Sequence, residues 1–67
     1  MNPVWLQAAH RNVESNLGSV VTEEHTAEDI NEEIFVLAFD AASDAGADEE
    51  SAGLIAQHVL ENMGIHL

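Results

Sequence analysis

The sequence predicts an all-α fold, a small three-helix bundle that forms one domain over residues 1–67. Three observations support this prediction. Apolar residues recur at helical spacing in three segments, about 3–17, 26–45 and 49–63. Residues that favour helix ends flank these segments, and the connections between them are short. Short connections place consecutive helices side by side, so we expect a bundle whose packing order stays open.

The first helix is expected to begin at Pro3, with Asn2 as its N-cap. Proline suits the first helical position because the N–H that it lacks would be unpaired there anyway. Gly18 is expected to end the helix. The apolar stripe of this helix comprises Leu6, Ala9, Val13 and Leu17. His10 lies at the edge of that stripe and Arg11 points away from it, and a single histidine so placed indicates packing, not a metal ligand.

The segment from Ser19 to His25 allows two starts for the second helix. Thr22 could cap a helix that runs directly through the segment. We favour a start at Thr26, with Val20 and Val21 in a short extended connector. Several potential metal ligands surround this start, namely Glu23, Glu24, His25, Glu28 and Asp29. Their spacing is neither the Glu-x-x-His of di-iron bundles nor the His-Glu-x-x-His of zinc proteases, so we expect a solvated helix start and no metal site.

The stretch from Thr26 to Gly46 is expected to form the central helix. Thr26 is a good N-cap, Asp29 takes the place of the glutamate of a capping box, and Gly46 suits the left-handed position after a helix end. On a helical wheel the apolar residues cover roughly 200°, more than an ordinary surface helix shows. They are Ile30, Ile34, Phe35, Leu37, Ala38, Phe39, Ala41, Ala42 and Ala45. An arc this wide predicts contact with other helices from more than one direction.

The opposite side of the central helix carries carboxylates. Asp29, Glu33, Asp40 and Asp44 fall within a narrow arc, beside Glu32 and Ser43. At ~1.5 Å per residue this arc would be about 22 Å long. Like charges four residues apart each cost about 0.2–0.5 kcal/mol, and Asp40 and Asp44 also lie toward the helix end whose dipole disfavours anions. The arrangement is either an ordinary solvated face or a surface kept for binding.

The segment DAGADEE, residues 44–50, connects the second and third helices. It is acidic like a calcium loop, but it lacks the glycine and glutamate that an EF-hand needs at its sixth and twelfth positions. We predict a tight turn closed by Gly46, with Asp48 as the N-cap of the third helix. The apolar face of that helix comprises Ala52, Ile55, Ala56, Val59, Leu60 and Met63. Gly64 followed by Ile65 predicts a Schellman motif at its end.

The core available to this chain is small. Ten of its hydrophobic residues are alanines, and a chain of this length often needs disulfides, metals or self-association to be stable. It contains no cysteine, so we expect self-association, most simply a two-fold homodimer. Leu54 points away from the apolar face of the third helix and, with Trp5, is a candidate contact for a dimer or for another partner.

The charge restricts the classes of partner. Thirteen acidic residues face one arginine and no lysine, and the net charge is −12. Nucleic acids and anionic membranes would be repelled, because phosphate contacts need lysine and arginine. Such a field attracts a basic protein. No apolar run is long enough for a transmembrane helix and no signal peptide is evident, so we expect a soluble cytoplasmic protein.

We expect no enzymatic activity and no cofactor. Serines and histidines show no catalytic spacing, and three short helices leave little room to desolvate a catalytic carboxylate. Acidic side chains on a rigid helix can instead occupy the basic groove of a nucleic-acid-binding protein, with association that weakens as salt rises. The predicted contact residues are Asp29, Glu32, Glu33, Asp40, Asp44, Asp48, Glu49 and Glu50. In composition and size the chain resembles small anti-restriction and anti-CRISPR inhibitors of phages, a likeness that no motif carries.

An alternative hypothesis is a small dimeric interaction module that holds its partner through apolar contacts. Its acidity would then serve solubility or adaptation to high salt. The wide apolar arc of the central helix, Trp5 and Leu54 favour this reading. The two hypotheses differ in their response to salt, because only a mimic loses affinity as ionic strength rises.

Overall fold

A computed structural model describes residues 2–20 and 26–64. Within these ranges the chain forms three helices: α1, Pro3–Val20; α2, Ala27–Asp44; and α3, Glu49–Met63. The predicted all-α three-helix bundle is therefore confirmed. Some predicted features lie outside the described residues, namely the alternative cap at Thr22, the cluster at Glu23, Glu24 and His25, and the tail from Ile65 to Leu67.

The start of α1 is the predicted one, but its end is not. The side-chain oxygen of Asn2 accepts a hydrogen bond from the Val4 N–H at 2.9 Å, and its carbonyl accepts one from Leu6. The helix then passes through Gly18 and ends at Val20, so the predicted stop at Gly18 and the extended conformation of Val20 are wrong. A glycine weakens a helix by about 1 kcal/mol but does not end it unless the backbone turns left-handed there.

A capping box fixes the start of α2. Thr26 has extended backbone angles, its hydroxyl accepts from the Asp29 N–H at 3.2 Å, and the Asp29 carboxylate accepts from the Thr26 N–H at 3.4 Å. Since Thr26 is the N-cap, the start at Thr26 is confirmed over the start at Thr22. The box satisfies two N–H groups that have no partner within the helix.

The end of α2 is a Schellman motif around Gly46, whose φ is +113°. The Gly46 N–H donates to the Ser43 carbonyl and the Ala47 N–H to the Ala42 carbonyl, each at 3.0 Å. This is the bond pattern of that motif, so the predicted left-handed glycine is confirmed. Ala45 is exposed in this end region, and its predicted place on the apolar face is wrong.

Asp48 caps α3 as predicted, and its side chain accepts from the Ser51 N–H at 2.9 Å. The predicted Schellman motif at Gly64 is wrong, because Gly64 has extended angles, φ −73° and ψ 164°. Glycine suits this position for a different reason. A Cβ there would collide with the Leu60 carbonyl oxygen and come within 3.1 Å of the Asn31 side chain.

The central position of α2 is confirmed, because α2 packs against both α1 and α3, which touch each other much less. Contacts between the helices show their relative directions. Trp5 lies near Gly46, and the Asn12 amide donates to the Leu37 carbonyl at 2.9 Å. The helices α1 and α2 are therefore antiparallel. Trp5 also lies near Ser51, so α1 and α3 start at the same end. The buried core comprises Ala9, Val13, Ile30, Ile34, Ala38, Ala42, Ala52, Ile55, Ala56 and Val59.

Candidate functional site

The predicted contact carboxylates are all exposed, and we call them the acidic face: Asp29, Glu32, Glu33, Asp40, Asp44, Asp48, Glu49 and Glu50. They follow the outer side of α2 and continue through the turn into the first residues of α3. Helical backbone holds most of them, so their spacing is set by the fold and not by a flexible tail. The structure thus exposes all of the predicted residues along α2 and at the start of α3.

Helix starts account for half of the acidic face. The side chains of Asp29 and Asp48 each accept a hydrogen bond from a backbone N–H at a helix start, that of Thr26 and that of Ser51 respectively. Hydrogen bonds from the Ser51 side chain and then from its backbone N–H lower the pKa of Asp48. Glu49 and Glu50 lie in the first turn of α3, where the helix dipole favours anions. These four residues stabilise helices whatever else they do.

Asp40 and Asp44 have no such explanation. They lie four residues apart in the second half of α2, and Asp44 is its last residue. Like charges at this spacing repel, and the C-terminal end of a helix disfavours anions. The last turn of α2 contains no basic residue that would offset this. The stability of α2 alone therefore does not account for these two carboxylates.

The acidic face is interrupted at Val36, whose side chain is 43% exposed. Val36 lies between Glu33 and Asp40 on the outer side of α2, and divides the carboxylates into one group near the start of the helix and another near its end. Val36 belongs to an unbroken apolar run, residues 34–39, but it lies outside the apolar arc predicted for this helix. On a helical wheel Val36 lies on the acidic side, between Glu32 and Asp29, and this position is the signal that would have found the interruption.

The single arginine of the chain lies beside the second group. Arg11 lines a groove of about 490 Å³ between α1 and α2, together with Ala8, Asn12, Ser15, Asp40, Ala41, Asp44 and Ala45. Arg11 points away from the core, as predicted, but α1 packs so that this direction leads to Asp40 and Asp44. A guanidinium at this position offsets part of their negative field. The sequence alone does not reveal this groove, because the groove depends on which face of α1 meets α2.

A second groove, which we call the apolar groove, lies where α1 and α3 begin. It has a volume of about 260 Å³ and is lined by Asn2, Trp5, Ser51, Leu54 and Ile55. Leu54 is 58% exposed, while Trp5 is half-buried and packs against the core. The two residues that the sequence suggested as partner contacts therefore lie together. Whether they contact a partner stays a prediction.

No known family matches this chain. Comparisons with family models, with curated proteins and with solved structures each gave no match.

We also looked for a metal site and a membrane-spanning helix in residues 2–20 and 26–64. Within these ranges no three histidine or acidic side chains lie close enough together to hold a metal ion, and no helix is long and apolar enough to cross a membrane. His10 lies with its Nδ1 3.3 Å from the sulfur of Met63, which is a packing contact between α1 and α3.

Proposed function

We propose that this protein is a non-enzymatic inhibitor that binds a basic nucleic-acid-binding protein, or a complex that contains one. The acidic face would occupy the surface that normally holds nucleic acid, with carboxylates in the places of phosphates. A protein that is itself repelled by nucleic acid can compete in this way, because both competitors are anions.

The observation that carries this proposal is the exposed pair Asp40 and Asp44 at the C-terminal end of α2. Repulsion between them and the helix dipole both act against this arrangement. Capping does not require them, in contrast to Asp29 and Asp48. A binding role supplies a reason for keeping them.

The spacing along α2 supports the same proposal. Five predicted contact carboxylates lie between Asp29 and Asp44, over about 22 Å of helix at ~1.5 Å per residue. Five charges leave four intervals, so they lie about 5.6 Å apart on average, compared with ~3.4 Å between the phosphates of one DNA strand. A basic surface shaped for a nucleic-acid backbone would therefore meet a row of negative charges here, at a lower charge density.

A competition experiment tests the proposal. The purified protein is used as bait in a bacterial lysate, and the captured proteins are released either by rising salt or by added DNA or RNA. We expect basic nucleic-acid-binding proteins that both treatments release. Capture that resists salt and is unaffected by nucleic acid would contradict the proposal.

A second candidate is the dimeric interaction module, which the exposure of Leu54 beside Trp5 favours. In that case apolar contacts would supply the affinity, and the carboxylates would serve solubility or salt adaptation. Its partner would stay bound at high salt, and Leu54→Asp would abolish binding while charge reversals on α2 would have little effect.

A further inference from the structure

The apolar groove adjoins the acidic face. Glu50 precedes Leu54 by four residues and therefore lies beside it on the same side of α3. Asp48 is bonded to Ser51, which lines the groove. An apolar depression at the start of α1 and α3 is thus bordered by exposed carboxylates.

The size of the groove indicates what it can hold. Its volume of about 260 Å³ is slightly below the ~300–1,000 Å³ of typical small-molecule sites. The groove is also open to solvent on one side, and Trp5 and Leu54 line it at the surface. One or two apolar side chains of a protein or peptide fit such a space better than a cofactor does. Aromatic residues such as Trp5 are common at the centre of such contacts.

The negative charge around the apolar groove favours one of two possible occupants, a basic protein over a second copy of this chain. A second copy of this chain would bring another −12 and a second set of carboxylates to the same border. Like charges across an interface disfavour the complex, whereas a basic protein gains attraction from the same border. We infer that the apolar groove holds an apolar side chain of the basic partner, flanked in that partner by lysine or arginine. This inference rests on the proposed function and adds an anchor that salt does not weaken.

Trp5 provides the test, since it is the only tryptophan of the chain and lines the groove. Two synthetic peptides serve as probes: a short lysine peptide with two central leucines, and the same peptide with two serines instead. Both should bind at low salt. The leucine peptide should bind about tenfold more tightly, since burying one leucine is worth at least this factor. Only the leucine peptide should shift the Trp5 emission to shorter wavelength and stay bound as salt rises.

Two substitutions distinguish binding in the apolar groove from nonspecific hydrophobic binding elsewhere on the surface. Leu54→Ser should remove the tenfold preference for the leucine peptide. Val4→Ser is the matched control, because Val4 is 64% exposed but does not line the groove, and it should keep the preference. Both side chains are exposed, so neither change should unfold the protein.

Three other outcomes would each overturn a defined part of the account. Equal affinities with unchanged Trp5 emission would show that the groove holds no side chain, and would leave the acidic face intact as a binding surface. A failure of both peptides to bind at low salt would contradict the proposed function itself. A dimer in sedimentation at high salt that Leu54→Ser converts to a monomer would make a second copy the occupant.

Discussion

Arg11 of α1 and Asp40 of α2 line the same groove, so the only arginine of the chain lies beside the second group of the acidic face. The positive guanidinium reduces the negative electrostatic potential of the acidic face at this point. It also reduces the repulsion between Asp40 and Asp44.

Replacing Arg11 with glutamine should strengthen binding to the basic partner a few-fold and make it more sensitive to salt. The reason is that the variant loses the one positive charge beside the contact surface. Stability should change by less than about 1 kcal/mol, because an exposed charge contributes little. Binding titrations at several salt concentrations measure both effects, and weaker binding by the variant would show that Arg11 itself contacts the partner.

Asn12→Ala should destabilise the fold by about 1–2 kcal/mol, because it removes the hydrogen bond to the Leu37 carbonyl between α1 and α2. Asn62→Ala is the matched control, since Asn62 is exposed and its amide donates within α3, to the His58 carbonyl. Urea unfolding followed by circular dichroism measures the difference. Equal effects of the two substitutions would mean that the bond between helices adds nothing.

Gly46→Ala and Gly18→Ala should have opposite effects. Gly46 has a positive φ, which strains any residue with a Cβ, so alanine should destabilise by more than about 1 kcal/mol. Gly18 lies inside α1, and no atom of the described residues would lie within 4 Å of a Cβ there, so alanine should stabilise by about 0.5–1 kcal/mol. Thermal unfolding measures both. A destabilising Gly18→Ala would restore the idea that α1 ends at this glycine.

Asp48→Asn should alter how stability depends on pH. The pKa of Asp48 is lowered from its usual 3.8 because Ser51 donates hydrogen bonds to the carboxylate. A carboxyl group with a lowered pKa in the folded state stabilises that state above pH 3.8, and this contribution disappears as pH falls through the folded pKa. The wild type should therefore have a higher free energy of unfolding than the variant at pH 7, and this difference should disappear below pH 3.8. The exposed Glu14→Gln is the control, and a difference that survives at pH 2 would assign the effect to something other than the charge of Asp48.

Local chemistry made much of the fold predictable. The caps at Thr26 and Asp48 and the left-handed Gly46 depend on residues within four positions, and all three appear as expected. The behaviour of Gly18 and Gly64 depends on more than local sequence. Gly18 continues a helix, and Gly64 takes an extended backbone beside Leu60.

The candidate site was predictable only in part, for the same reason. Helical periodicity was enough to place the carboxylates on the solvent side of α2. It did not reveal that Arg11 would lie beside Asp40, or that Trp5 and Leu54 would line one groove. Both relationships arise from how α1 packs on its neighbours, which a single sequence does not specify.

The measurement that tests the central claim most directly compares two charge reversals of equal size. Asp40→Lys with Asp44→Lys alters the acidic face, and Glu14→Lys with Glu61→Lys makes the same change at exposed positions of α1 and α3. Binding to the captured partner is measured in competition with nucleic acid. We expect the first pair to lower affinity by at least about a hundredfold, as lost complementarity and new repulsion combine, and the second pair to lower it only a few-fold. Equal losses would mean that only net charge matters, and unchanged binding by the first pair would contradict the proposed mimicry.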